Sequence, residues 1–191
     1  MFSTTNLSTR SILTNGNNTV SCIHAAGQAL TAVDWSGSSG KVAAEFTVDA
    51  IATGANGSVG FGWVDASTVD FNLAIAQGYA FTERPSNTSE SHFKIKLGST
   101  HSLFGSPVSA GDVITIYLDL DNGFGYLYIN GIAQNGADPT SGAAGTGNMW
   151  DFPTGATYYI VVAPNNPNGV SSQITINSPH NYVSVSGYTD L

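Results

Sequence analysis

The residues best placed to do chemistry in this chain are the acids of "DLDNG", Asp119 to Gly123, and the pair Glu45 and Asp49. Asp119, Asp121 and Asn122 bring oxygen-bearing side chains close together, as a calcium loop does. An EF-hand loop needs side-chain oxygens at its first, third and fifth positions and a glutamate at its twelfth. Counted from Asp119, Gly123 stands fifth and Asn130 twelfth, so the pattern fails. Asp, Asn and Gly are also the residues of a tight hairpin, and Asn122-Gly123 supplies the positive φ that such a corner needs. The corner reading accounts for every residue of the run, and no metal is expected.

Glycoside hydrolysis is the second chemistry to weigh. A retaining site needs two carboxyls about 5 to 5.5 Å apart. On a strand, Glu45 and Asp49 share a face but stand roughly 13 Å apart. Thr47 sits where an acid between them would be needed, and Glu83 and Glu90 lie in a turn-rich stretch without an acidic partner. Glu45 is better read as a hydrogen-bonded structural carboxylate. His24, His92, His101 and His180 are far apart, and none has a second ligand at metal-binding spacing. Cys22 is the single cysteine, so no disulfide framework exists, and its setting "NTVSCIHAA" reads as a strand with a buried thiol. No catalytic residue and no cofactor follow from these patterns.

The elements that would position these groups are short strands. "ILTNG", "NTVSCIHA", "KVAAEFTVDAI", "GSVGFGWVD", "NLAIAQGYAF", "HFKIKLG", "DVITIYLDL", "FGYLYIN", "ATYYIVVAP" and "SSQITINS" alternate between turn signals. Helical periodicity is missing. In "GDVITIYLDLDNGFGYLYING", Ile114, Ile116, Leu118 and Leu120 share one face, and Leu127 and Ile129 match them across the turn. Tyr117, Tyr126 and Tyr128 share the other face, either as an exposed binding patch or beneath a second layer. Residues 135–155 form a long irregular piece that is either functional or packed by its own Trp150, Phe152 and Pro153. The expectation is one all-β domain over residues 1–191, an antiparallel two-sheet sandwich.

Composition narrows the function. Only 9% of residues are charged, against about 25% in an average domain. Net charge is −8 with Lys plus Arg numbering 5, too few to neutralise a phosphate backbone or dock on anionic lipid. Nucleic acid and membrane are therefore not expected partners. No apolar run is long enough for a signal peptide or a membrane span, which predicts synthesis in a cytoplasm.

The central stretch resembles the signature of SPRY domains: a Gly-Asp-Val-Ile strand, a Leu-Asp-x-Asp-x-Gly corner and a strand ending in Asn-Gly. "SSGKVAAEFTVDA" is similar to the family's early Gly-Lys-Trp-Tyr-x-Glu-Val strand, with Val42 and Ala43 in place of the aromatics. "SVGFGWVD" resembles the following Val-Gly-Val-Gly strand, and "ITINSPHNYVSVSGYTDL" the closing segment, though Asn177-Ser178 stands where Asn-Phe-Gly is usual. The opening "RSILTNGNNTVSC" is similar to the first strands of SPRY-like domains in bacteriophage proteins. The resemblance implies a concanavalin A-like β-sandwich, a jelly roll that binds partners through loops at one end. By position those loops are residues 51–58, 64–72, 82–91 and 135–152, with Trp63, Phe71, Tyr79, Arg84, Asn87, Trp150 and Phe152 as candidate contacts. The expected role is a non-enzymatic structural or decorating protein of a phage virion, on the capsid or the tail. Its expected partners are other virion proteins, with a second copy of the chain among the candidates. The alternative is an adhesin module that recognises a host glycan.

Overall fold

Alternating apolar residues with turn signals between them produce strands along the whole chain. A computed structural model describes residues 1–22, 29–52, 57–72, 75–83, 92–96, 102–166, 169–182 and 185–191. The first half holds β1 (Phe2–Leu7), β2 (Ser11–Thr14), β3 (Thr19–Cys22), β4 (Thr31–Val33), β5 (Lys41–Ala50), β6 (Val59–Asp65) and β7 (Tyr79–Glu83). Then come β8 (His92–Lys96), β9 (Ser102–Leu103), β10 (Val113–Asp119), β11 (Phe124–Ile129) and β12 (Ile132–Ala133). The last are β13 (Trp150–Asp151), β14 (Tyr158–Pro164), β15 (Gln173–Ile176) and β16 (Thr189–Asp190). Two short 3₁₀ turns, Ile75–Gln77 and Gln134–Gly136, are the helical pieces among the described residues. None is long and apolar enough to cross a membrane.

One sheet runs β1-β4-β14-β6-β7-β8-β9, and the other runs β12-β11-β10-β5-β15-β3-β2, with β13 added to β11 and β16 to β5. All pairings are antiparallel except the parallel one of β16 on β5. The fold is thus an all-β, two-sheet sandwich. Ten strands coincide with the runs expected from alternation. "NLAIAQGYAF" divides: among its described residues Ile75–Gln77 turns, and the strand Tyr79–Glu83 begins after it. The strands not foreseen are β1, β4, β9, β12, β13 and β16. Most have only two or three residues, too few to show a period, and β1 is largely Ser, Thr and Asn.

The inner faces meet as the period of two dictates. Phe46, Ile114, Ile116, Leu118, Leu127 and Ile129 from one sheet pack with Phe61, Trp63, Phe81, Ile160 and Val162 from the other. Phe46 lies between Phe2, at 6.2 Å, and Phe61, at 5.8 Å between ring centroids. Full burial of such side chains contributes about 1.5–3 kcal/mol each before the cost of ordering the chain. Register also fixes the ends of the sandwich. Val59 pairs with Glu83 and Trp63 with Tyr79, so the 51–58 connection and the end of β7 lie at one end. The 66–78 connection lies at the other. Asp119 pairs with Lys41 and Phe124 with Asp151, which puts the β10–β11 corner and β13 at that second end too.

Each sheet's outer face is apolar as well and has its own cover. Ile75 drops into the outer face of the first sheet among Leu30, Ala32, Val64, Ala80, Val161 and Ala163. On the second sheet, Ala43, Tyr117 and Tyr126 are buried beneath Ala137, Val185 and Tyr188. The tyrosine face is therefore closed, by residues near 137 and by the C-terminal segment rather than by the partner sheet.

Candidate interaction surfaces

The corner at 119–123 is built from the chain's own hydrogen bonds. The Asp119 carboxylate is fully buried. It accepts the Asn122 backbone N–H at 3.0 Å, the Asn122 side-chain amide at 2.9 Å and the Lys41 ammonium at 2.9 Å. Burial pushes the Asp119 pKa up, but the bonds from Asn122 and Lys41 together outweigh it and hold the group below its ordinary value. Asp121 accepts the Gly40 N–H at 2.8 Å. Gly123 has φ +72°, and a side chain there would run into the Phe152 carbonyl. These acids close a corner, as the residue types of "DLDNG" predict, but the positive φ belongs to Gly123 and not to Asn122, which instead bonds back to Asp119.

The other buried carboxylates are engaged in the same way. Glu45 accepts the Asn177 amide at 2.9 Å and the backbone N–H groups of Asn181 at 2.6 Å and Tyr182 at 3.2 Å. It is the hydrogen-bonded structural carboxylate expected. Glu83 ends β7, inside a strand rather than in a turn, and accepts the Val108 N–H at 2.9 Å. The exposed Asp49 accepts the Thr175 hydroxyl at 2.7 Å. His180 sits 3.3 Å from Asp190, while His24 and His101 lie outside the described residues. Among the described residues no group of three His, Cys, Asp or Glu side chains is gathered around a common point.

The candidate contact residues separate into three sets. Trp63, Tyr79 and Phe152 are core residues, 0%, 4% and 6% exposed, and so cannot anchor a partner. The physical reason is period: Val59, Phe61 and Trp63 all point inward from β6. Trp63 stacks on Tyr79 at 5.8 Å and meets the edge of Phe152 at 5.4 Å. Gly125 makes room for the indole, since a Cβ at that position would enter the ring. Phe71 is half-buried on the outer face of the first sheet, 5.9 Å from Tyr159. Arg84 and Asn87 lie outside the described residues. Trp150 remains: half-buried, on β13, at the rim of the second end.

The grouping of the loops also changes. Residues 51, 52, 57 and 58 and the end of β7 belong to one end, whereas 64–72 and β13 belong to the opposite end; residues 53–56 and 84–91 lie outside the described residues. A single loop cluster does not contain all four segments. Residues 135–152 are also not a free loop. Asp138 holds a turn through the Thr140 hydroxyl at 2.6 Å, Met149 is fully buried, and the Phe152 N–H donates to Gly123.

Around Trp150 the structure adds two residues that the sequence reading missed. Lys94 and Lys96 pair with Phe81 and Tyr79, both core-facing, so the two lysines also point inward from β8. Lys94 Nζ sits 4.2 Å from the Trp150 ring centroid and 5.0 Å from that of Phe104, and donates to the Met149 carbonyl at 3.0 Å. Its pKa is lowered by burial, against the pull of Asp151. Lys96 Nζ lies 5.6 Å from the Tyr79 ring. The two ammonium groups thus close the sandwich where its sheets part, by cation–π and carbonyl contacts. Inward charges near a sheet margin also discourage unwanted strand pairing. The hydropathy of "HFKIK" points the opposite way, so nothing local announces this arrangement. Further along the same side, Gln134 accepts the Ser106 N–H at 2.9 Å and donates to the Ile132 carbonyl at 2.8 Å, bridging the two sheets.

No protein-family profile matches this sequence, and no curated protein matches it. The structure is similar to the crystal structure of the SPRY domain of human HERC1, with a TM-score of 0.62 and 15% identity. The match covers 92% of this chain and 96% of that one. The chain has the fold of a SPRY domain.

Proposed function

We propose that this chain is a non-catalytic binding module that engages other proteins, and that it serves as a structural or decorating component of a bacteriophage virion, on the capsid or tail. One observation carries the non-catalytic reading. Glu45, Glu83 and Asp119 are the buried acids of the described residues, and each is bound by the sandwich's own donors. The acids that could have done chemistry instead hold loops and corners. The SPRY fold supports protein binding as the function class. The virion setting rests on the likeness to phage-type SPRY strands and on a composition rich in Gly, Ser, Thr and Asn.

Mass spectrometry of purified virions tests the proposal: the chain is expected at a fixed, repeated stoichiometry. With so few basic residues, attachment is expected to survive molar salt, because screening weakens charge pairs and not apolar burial. Trp150→Ala is expected to weaken attachment by about 2 kcal/mol if the second end is the contact. Absence from particles overturns the virion assignment, and release by moderate salt alone overturns the apolar attachment in favour of a charged docking site. Binding to host glycans by the isolated chain would favour the adhesin reading, and turnover of a polysaccharide would end the non-catalytic one.

A further inference from the structure

The C-terminal segment covers much and is held by little. Residues 177–182 follow β15, and residues 185–191 lie on the outer face of the second sheet and end in the two-residue β16, parallel to β5 at Val42 and Ala43. Beneath or beside this segment lie Ala43, Tyr117, Tyr126 and Glu45, all fully buried. Yet each described residue of the segment is exposed or half-buried, although the His180 imidazole itself is tucked in. Its apolar contribution comes chiefly from Val185, Tyr188 and Leu191, with the Tyr188 ring edge-on to Tyr117 at 5.1 Å.

Its polar attachment converges on one residue. The Glu45 carboxylate takes the Asn177 amide and the Asn181 and Tyr182 backbone N–H groups, and the Glu45 carbonyl takes the Asn177 N–H at 2.9 Å. Further contacts are Thr47 with the Asn177 side chain, the Leu191 N–H on the Ala43 carbonyl and the Tyr188 hydroxyl on the Pro139 carbonyl. Segments with few buried apolar contacts and exposed pairing open at lower free energy than the core. A buried carboxylate, by contrast, must keep its donors or regain water.

We infer that the C-terminal segment, through its residues 177–182 and 185–191, forms a releasable strap latched by Glu45, whose opening bares the tyrosine face while the sandwich beneath stays folded. Opening rehydrates the carboxylate and exposes the rings of Tyr117 and Tyr128 together with the flank of β5 at Val42–Ala43. The molecule then carries an aromatic surface that it does not display when closed. The device is independent of the partner assigned above.

Native-state hydrogen exchange on the full chain tests it, comparing fragments that report 177–191 with those that report β10 and β11. In the parent protein the strap amides are expected to exchange at least about a hundredfold faster than those of Ile116 and Leu127. Glu45→Gln replaces an acceptor oxygen with a donor, and is expected to speed strap exchange at least about tenfold while moving β10 and β11 less than about twofold. Tyr188→Ala loosens the strap at a second point, by removing the ring packed on Tyr117 and the bond to the Pro139 carbonyl, and is expected to act with the same selectivity, which keeps the test decisive if the first variant does not fold. Strap protection equal to that of β10, or acceleration of both sets by a common factor, would overturn the inference. In either case the segment would open only with the whole domain.

Discussion

Asp119 and Glu45 are fully buried carboxylates on the same outer face of the same sheet, and they organise the chain over different distances. Asp119 holds residues three positions away, through Asn122, and the strand beside it, through Lys41. Glu45 holds residues more than a hundred and thirty positions away, through Asn177, Asn181 and Tyr182. The corner closes a loop of a few residues at little entropic cost, whereas the latch must fix the far end of a long excursion. A carboxylate can therefore be part of the folding core or the catch on a movable piece, with similar bonds in each case. What differs is whether its partners can leave without unfolding the rest.

The largest effect is expected at the corner. Gly123→Val places a β-branched side chain at φ +72° and against the Phe152 carbonyl. Left-handed strain of about 1–2 kcal/mol and overpacking of about 1–3 kcal/mol combine there, so urea denaturation should report a loss of about 3 kcal/mol or more. An unchanged midpoint would mean that the turn does not have this geometry. Next comes a matched pair. Asp119→Asn should destabilise global unfolding by about 2 kcal/mol, as expected for bonds to a buried charged group. Glu45→Gln removes comparable bonds, yet its global cost should be smaller, about 1 kcal/mol or less, because that cost cannot exceed the strap's own stability. Equal losses for the two would erase the distinction.

That contrast also explains what was legible beforehand. The corner could be read because "DLDNG" contains the Asp119 acceptor and its Asn122 donors, although Gly40 and Lys41 add donors from β5 and the turn before it. Ten strands could be read because alternation over four or more residues is a periodic signal, which the Ser, Thr and Asn of β1 do not carry. Glu45 was recognisable as a structural carboxylate only by exclusion, since nothing near it in sequence names Asn181 or Tyr182. Trp63, Tyr79 and Phe152 look like binding aromatics when read beside polar loops. The register of β6 and β7 turns Trp63 and Tyr79 inward, and Phe152, just past β13 and bonded to Gly123, packs on both. Lys94 and Lys96 could not be found at all, because a lysine on an inward face contradicts the ordinary pattern and is tolerated here by aromatic rings contributed from other elements.

Acid should report on the corner itself. The folded pKa of Asp119 is held below its unfolded value. Its contribution is therefore complete above the unfolded carboxylate range, and it is lost as pH falls from about 4 through the lower folded value. Unfolding free energy followed by urea titration should decline over that window in the parent protein. The decline should be shallower in Asp119→Asn, which has no proton to take up there. If the two acid limbs have the same slope, the bonds from Asn122 and Lys41 do not stabilise the ionised form.

The smallest expected effect belongs to Tyr188→Phe. The hydroxyl donates to the Pro139 carbonyl at 3.1 Å, joining the strap to the 134–149 segment, the other cover of the tyrosine face. Burial and the neighbouring acid Asp119 keep this phenol well above the ordinary tyrosine range, so it stays a donor at every working pH. Its loss removes one neutral hydrogen bond, worth about 0.5–1.5 kcal/mol, and leaves the ring contact with Tyr117 intact. Pro139 is itself buried, so its carbonyl would lose a partner that water replaces only once the strap lifts. The change should therefore appear as faster exchange of 177–191 and of the segment around Pro139, with almost no shift in the global midpoint. A shift of the midpoint without a change in local exchange would mean that the two covers and the sandwich form one cooperative unit, and that Glu45 is no more a catch than Asp119 is.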